Sequence, residues 1–165
     1  MDSLWAPWRM AYIEQDRRQE PGCVFCPRIA RKNDQEDLIL WRGQAVTVVM
    51  NRYPYNNGHL MVVPNRHLAE FRELADPEIV EVHRLIELSL FALKQAMNPA
   101  GYNLGLNLGK AAGAGVLDHL HWHIVPRWEG DTNFMPVLAE TKVMPEHLNS
   151  TYRKLRSAFQ EASQK

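Results

Sequence analysis

Long apolar runs, an excess of charge of either sign, and cysteine are what this sequence of 165 residues has least of. No stretch of about 18 apolar residues occurs, so no helix is expected to cross a bilayer. The opening Met1-Asp-Ser-Leu-Trp-Ala-Pro-Trp-Arg lacks the basic, apolar and small-residue succession of a secretory signal, which predicts a cytoplasmic protein with no membrane partner. Lys+Arg and Asp+Glu both number 19. A basic field able to hold a nucleic-acid polymer by counterion release is therefore missing, and no such partner is expected. The two cysteines form Cys23-Val-Phe-Cys26, a spacing too short to cross-link distant parts of a secreted scaffold and more often used for metal or redox chemistry. The length suits one domain over 1–165, able to bury roughly 70% of the surface its unfolded chain exposes.

What is present reads as an α+β domain with a largely antiparallel sheet. Residues 38–41 and 45–50, rich in β-branched and apolar types around Gly43, predict a hairpin. After the turn Asn51-Arg-Tyr-Pro-Tyr-Asn-Asn-Gly58, residues 59–63 read as a strand ended by Pro64. A short helix is expected near Ile29, and another with Leu68, Phe71 and Leu74 as its apolar stripe. Asp76-Pro77 makes an N-cap and N1 pair, followed by Ile79, Val82, Ile86, Leu90, Leu93 and Met97 at spacings of three and four, so a long helix is predicted. Residues 102–108 and 119–125 read as strands flanking a glycine-rich connection. Pro145 opens a C-terminal helix with Leu148, Tyr152, Leu155 and Phe159 as its buried stripe.

The most informative stretch is His119-Leu-His121-Trp-His123-Ile-Val125. In a strand, residues i, i+2 and i+4 share a face at steps of roughly 6.5–7 Å, which would put three imidazoles on one side and Leu120, Trp122 and Ile124 on the other. Such a row can bind a metal through neutral nitrogens, or supply a nucleophile whose neighbours hydrogen-bond an anionic substrate. The connection Gly109-Lys-Ala-Ala-Gly-Ala-Gly115 favours the second use: Gly109, Gly113 and Gly115 let backbone N–H groups approach phosphate oxygens, Lys110 adds charge, and Ala114 lies between. His59, at the start of its strand, could reach the same cleft or be structural, while His83 and His147 read as solvated. Asn51 and Asn107 are candidate contacts to ribose or phosphate and Trp128 to the pocket mouth. Each of these three reads equally well as a core or turn residue.

At His119 to Val125 the sequence resembles the histidine triad (HIT) family, whose pattern is three alternating histidines followed by two apolar residues. Gly58-His59-Leu-Met-Val-Val-Pro-Asn-Arg-His67 is similar to a strand of that family and the histidine after it, and Cys23-Val-Phe-Cys26 to the cysteine pair of its metal-containing branch. The resemblance covers about residues 20–128. It implies a HIT-like fold of about five strands with a long and a C-terminal helix, and at least a homodimer. It also implies that His121 is the nucleophile, that His123 and His59 contact or orient the phosphate group, and that His119 is the first triad member. Cys23, Cys26, His67 and His119 are the implied ligands of a structural zinc ion. The opening residues 4–13 and the run 126–135 look like a bacterial subgroup that includes diadenosine tetraphosphate phosphorylases. These transfer the nucleotidyl group from histidine to inorganic phosphate and release ADP and ATP.

Many hydrolytic members carry Ala-Gly-Gln before the triad. Here Ala114-Gly115-Val116 occupies that stretch, which leaves room for an acceptor larger than water. The alternatives are a hydrolase of dinucleoside polyphosphates or adenosine phosphoramidates and, from another class, a non-catalytic nucleotide-sensing protein. A cupin-like metal enzyme is a further comparison, but the glutamate such a motif needs is absent, with Val125 and Pro126 in its place.

Overall fold

The computed structural model describes residues 22–132 and 143–164; residues 4–13, and residues 133–135 of the run 126–135, lie outside them. Five strands form one antiparallel sheet: β1 (Ile39–Arg42), β2 (Val46–Met50), β3 (Leu60–Pro64), β4 (Gly101–Leu106) and β5 (Trp122–Arg127), in the order β1-β2-β3-β5-β4. A short helix α1 (Cys26–Ala30) precedes the sheet. The long helix α2 (Asp76–Met97) packs on β2, β3 and β5, and the C-terminal helix α3 (Leu148–Ala162) on α2 and β1.

The expected hairpin turns at Gly43, whose N–H donates to Val46 O at 2.8 Å. The Glu81 carboxylate of α2 accepts the next two amides, from Gln44 and Ala45, at 2.8 and 2.7 Å. A Cβ on Gly43 would collide with that carboxylate. Every residue of β2 and β3 is buried, including Thr47, whose hydroxyl donates to Asn65 Oδ1 at 2.7 Å.

The structure differs from expectation at several element edges. The α2 N-cap is Ala75 rather than Asp76, because the Glu78 carboxylate turns back to accept the Ala75 N–H at 2.8 Å. Glu78 is itself buried against Arg66, at 2.8 and 2.7 Å. The buried side of α2 is accordingly centred on Val82, Leu85, Ser89, Ala92 and Leu93, and Ile79 is left 37% exposed. Where a short helix was expected over Leu68 to Leu74 there is one 3₁₀ turn, Phe71–Glu73. Leu68 and Leu74 join Leu120 in a small second core, while half-exposed Phe71 meets Trp122 edge-on. The C-terminal stripe is as expected: Tyr152, Leu155 and Phe159 are buried and Leu148 packs at the margin.

Strand β4 stops at Leu106 rather than at residue 108. Strand β5 starts at Trp122 rather than at residue 119, so of the three alternating histidines only His123 lies in the ladder. Before it, the Leu120 N–H donates to Leu68 O at 2.8 Å, beyond the end of β3, and the His119 ring reaches Pro64 O at 2.9 Å. These bonds keep residues 119–121 beside β3 without a regular ladder.

Candidate active site

The register pairs Met61 with His123 and Leu60 with Ile124. By strand alternation His59, Met61 and His123 face one side of the sheet, while Leu60 and Ile124 face the other. His59, His119, His121 and His123 are all buried. Phe25, directly before α1, bridges two of them: its ring centroid is 5.4 Å from His119 and 5.1 Å from His121. The His121 and His123 rings are 4.9 Å apart, and His123 and His59 are 5.1 Å apart.

Backbone partners fix the tautomers of His121 and His59, because a carbonyl only accepts and an amide only donates, and His59 then sets that of His123. His121 Nδ1 is 2.8 Å from His119 O. That atom therefore carries hydrogen, and in the neutral ring the lone pair lies on Nε2. His59 Nδ1 accepts the Tyr55 N–H at 3.1 Å, so its Nε2 carries the hydrogen and donates to His123 Nδ1 at 2.9 Å. His123 in turn carries its hydrogen on Nε2. Burial pushes His59 down to about 3, with His123 and His121 acting in the same direction. It also lowers His121, against the opposing effect of its bond to His119 O. Both rings are therefore neutral near pH 7.

His119 differs. Its Nε2–H donates to Pro64 O at 2.9 Å, leaving the Nδ1 lone pair 3.1 Å from Cys23 Sγ and 3.7 Å from Cys26 Sγ. Cys26 Sγ also lies 3.4 Å from His67 Nδ1. Ligand atoms of Cys23, Cys26, His67 and His119 all fall within 4.8 Å of one another. A tetrahedral ion with bonds of about 2.0–2.3 Å needs ligand separations of roughly 3.3–3.8 Å, close to the 3.1, 3.4 and 3.7 Å of the pairs above, and two thiols with two imidazoles are a donor set suited to a four-coordinate metal. Burial, with Cys23 beside it, pushes the Cys26 thiol up to about 11. A bound cation would offset the cost of ionising it. Local sequence makes the cluster: Pro27 in the first turn of α1 sets Cys26 at its start, and the loop bearing His67 is held by Arg66 on Glu78 and on Glu73 O at 2.7 Å.

The sequence-predicted substrate contacts are spread around this core. Asn51 is joined to His59: its N–H donates to His59 O at 3.0 Å, its Oδ1 accepts the Tyr53 N–H at 2.9 Å, and its Nδ2 lies 3.4 Å from His59 Nδ1. In the glycine loop Gly109 and Gly113 have φ of +78° and +81°, a conformation glycine adopts without strain. The Gly113 and Ala114 amides close the loop's own turns on Lys110 O and Gly109 O at 2.9 and 3.3 Å, while Gly115 and Lys110 are exposed. Asn107 and Gly109 line a pocket of about 270 Å³ with Phe71, Val116, His119 and Leu120. Trp128, half-buried just after β5, donates its N–H to Asp131 at 3.1 Å. His83 and His147 are exposed, and His147 caps α3.

Two aromatic residues at the site carry no motif signal. Phe25 sits between the cysteines and meets the rings of His119 and His121. Tyr55 lies over His59 and His123, with centroids at 4.6 and 5.6 Å; nothing in its spacing announces this.

An antiparallel five-stranded sheet with buried alternating histidines leading into an inner strand defines the class, and the chain belongs to the HIT domain family, whose model matches residues 32–130. Within it, the chain is 40% identical to the AP-4-A phosphorylase of Mycobacterium tuberculosis, over 96% of this chain and 85% of that one. Among solved structures it is similar to a histidine triad nucleotide-binding protein of Sulfolobus tokodaii (28% identity, TM-score 0.67, 86% and 92% of the two chains). A zinc-bound histidine triad protein of Mycobacterium smegmatis shares the fold (22% identity, TM-score 0.69, 87% and 96%). Among the described residues no helix is long and apolar enough to cross a membrane.

Proposed function

We propose that this chain is a nucleotidyl-transfer enzyme that cleaves diadenosine tetraphosphate by phosphorolysis through a covalent nucleotidyl-histidine. The observation that carries the reading is the His121 Nδ1–H bond to His119 O. It leaves a neutral Nε2 lone pair on a buried imidazole beside His123, and the likeness to the mycobacterial phosphorylase supplies the substrate. His121 Nε2 attacks the α-phosphorus of one adenosine; the N–P bond forms as the P–O bond to the remaining chain breaks, releasing ATP. His123 Nε2–H donates to the departing oxygen, and His59 holds His123 in the donor tautomer. An oxygen of inorganic phosphate then attacks the same phosphorus, the P–N bond breaks, and ADP leaves. Positioning and hydrogen bonds around phosphorus account for most of the acceleration.

Asn51, Asn107, Lys110, Gly113, Ala114, Gly115 and Trp128 are assigned to substrate contacts. Cys23, Cys26, His67 and His119 would hold a structural Zn²⁺, which ties the segment before α1 to the histidines. The working unit is a single HIT domain over 1–165, cytoplasmic and homodimeric. A dimer is supported by Leu104 of edge strand β4 and by Leu108 and Leu117 of the connection that follows it, about half exposed at 52%, 52% and 45%. Separation of the products of diadenosine tetraphosphate with and without inorganic phosphate tests the reaction. ADP plus ATP formed only with phosphate is expected; AMP plus ATP without phosphate would make the chain a hydrolase.

A further inference from the structure

The turn 51–58 is fixed more firmly than a connection between strands requires. Asn56 and Asn57 are buried, at 5% and 7% exposure. Asn56 Nδ2 donates to Pro126 O at 3.0 Å and to Asp131 Oδ2 at 2.8 Å; Asn57 Oδ1 accepts from Thr151 Oγ1 at 3.1 Å. Asp131 is held in turn by Arg127 at 2.7 Å. The turn is thereby tied to the strand that carries His123 and to α3. Between Pro54 and this anchored pair, Tyr55 makes two contacts with the histidines. Its N–H reaches His59 Nδ1, and its ring is tilted about 35° to both imidazoles, measured as 35° to His59 and 34° to His123.

We propose that Tyr55 is a positioning residue for the His59–His123 pair, its amide selecting the His59 tautomer and its ring holding both imidazoles in the orientation that aims His123 Nε2–H. This rests on the reading of His123 as the donor to the departing oxygen. The amide dictates the direction of the His59-to-His123 hydrogen bond, since a hydrogen on His59 Nδ1 would oppose the Tyr55 N–H and reverse the chain of donors. The ring supplies what one hydrogen bond does not, resistance to rotation about its axis, and a misplaced donor of about 1 Å costs on the order of a hundredfold in rate.

Ring-nitrogen NMR of histidine-labelled protein tests the first half on the wild type, independently of any variant. His59 is expected to carry hydrogen on Nε2 alone; hydrogen on Nδ1 would overturn the proposal. For the second half, Tyr55→Ala is expected to lower kcat on the order of tenfold to a hundredfold with KM within about twofold, and to blur the single-tautomer signals of His59 and His123, while Tyr55→Phe restores both. Tyr55→Leu, which keeps apolar bulk without a flat ring, serves if the alanine variant does not fold, and the same loss is expected. A rise in KM alone, unchanged kcat in the alanine or leucine variant, or a phenylalanine variant as impaired as alanine would each overturn the ring's role. Adduct formation on His121 is followed in parallel: its complete absence in the wild type would defeat the parent reading, whereas a slowed adduct in Tyr55→Ala concerns Tyr55 alone.

Discussion

His119 and His123 stand four residues apart on one stretch of chain and are put to different uses by their neighbours. The ring of His119 is turned by Pro64 O so that Nδ1 faces two thiols, in a donor set suited to a metal. The ring of His123 is met by a second imidazole, so its proton is placed on Nε2. Between them, His121 takes its tautomer from the carbonyl of His119 itself. One residue type thus acquires three chemical characters from its partners: β3 and its flanking turns for His119 and His123, and the chain's own preceding carbonyl for His121. The triad pattern names the residues, and the carbonyls and amides around them decide what each can do.

Damage on the two sides is expected to separate. Removing the proton-bearing side has the larger effect on rate: His123→Ala is expected to lower kcat by about 10²–10⁴-fold, the range for a positioned acid. His59→Gln is expected to fall short of that, because His123 stays in place. Neither should change metal content measured by atomic emission, and metal loss in His123→Ala would mean that the two sides are one unit. On the other side, Cys23→Ser is expected to lose the metal and lower the thermal midpoint by several degrees, at about 2–4 °C per kcal/mol for a domain of this size. A variant that keeps both metal and midpoint would remove the basis for a structural zinc ion.

A further effect is in pH. The folded-state pKa of His59 is depressed to about 3, so below its ordinary value near 6.5 the unfolded chain binds a proton that the native state refuses. Stability from this group is intact above about pH 6.5 and falls as pH drops toward 3, with a limiting slope of about 1.4 kcal/mol per pH unit. Denaturant titrations between pH 7 and pH 4 should show a shallower acid loss in His59→Gln than in the wild type. Equal slopes would contradict the buried neutral ring.

Much of this arrangement was legible in the sequence, and the misses have physical causes. Strands β2 and β3 are runs of β-branched and apolar residues and could be read directly, as could the grouping of Cys23, Cys26, His67 and His119 once the family resemblance was taken up. The start of β5 could not: alternation continues through His119 and His121 in the sequence, but regular pairing begins only at Trp122 because the preceding residues bond to side-chain and loop groups. The rotation of α2 followed from burying Glu78 with Arg66, an ion pair twelve residues apart that no hydrophobic period encodes. Tyr55 was invisible for a similar reason. Its role depends on Asn56 and Asn57 reaching residues about 70 to 94 positions away.

The nucleotidyl-histidine on His121 is tested most directly by intact-mass and peptide analysis of wild-type protein mixed with diadenosine tetraphosphate in the absence of phosphate, under alkaline quench. One added AMP located on His121 is expected, discharged as ADP when inorganic phosphate is supplied and absent from His121→Ala. An unmodified wild-type chain that still turns over substrate, or an adduct on a different residue, would contradict it.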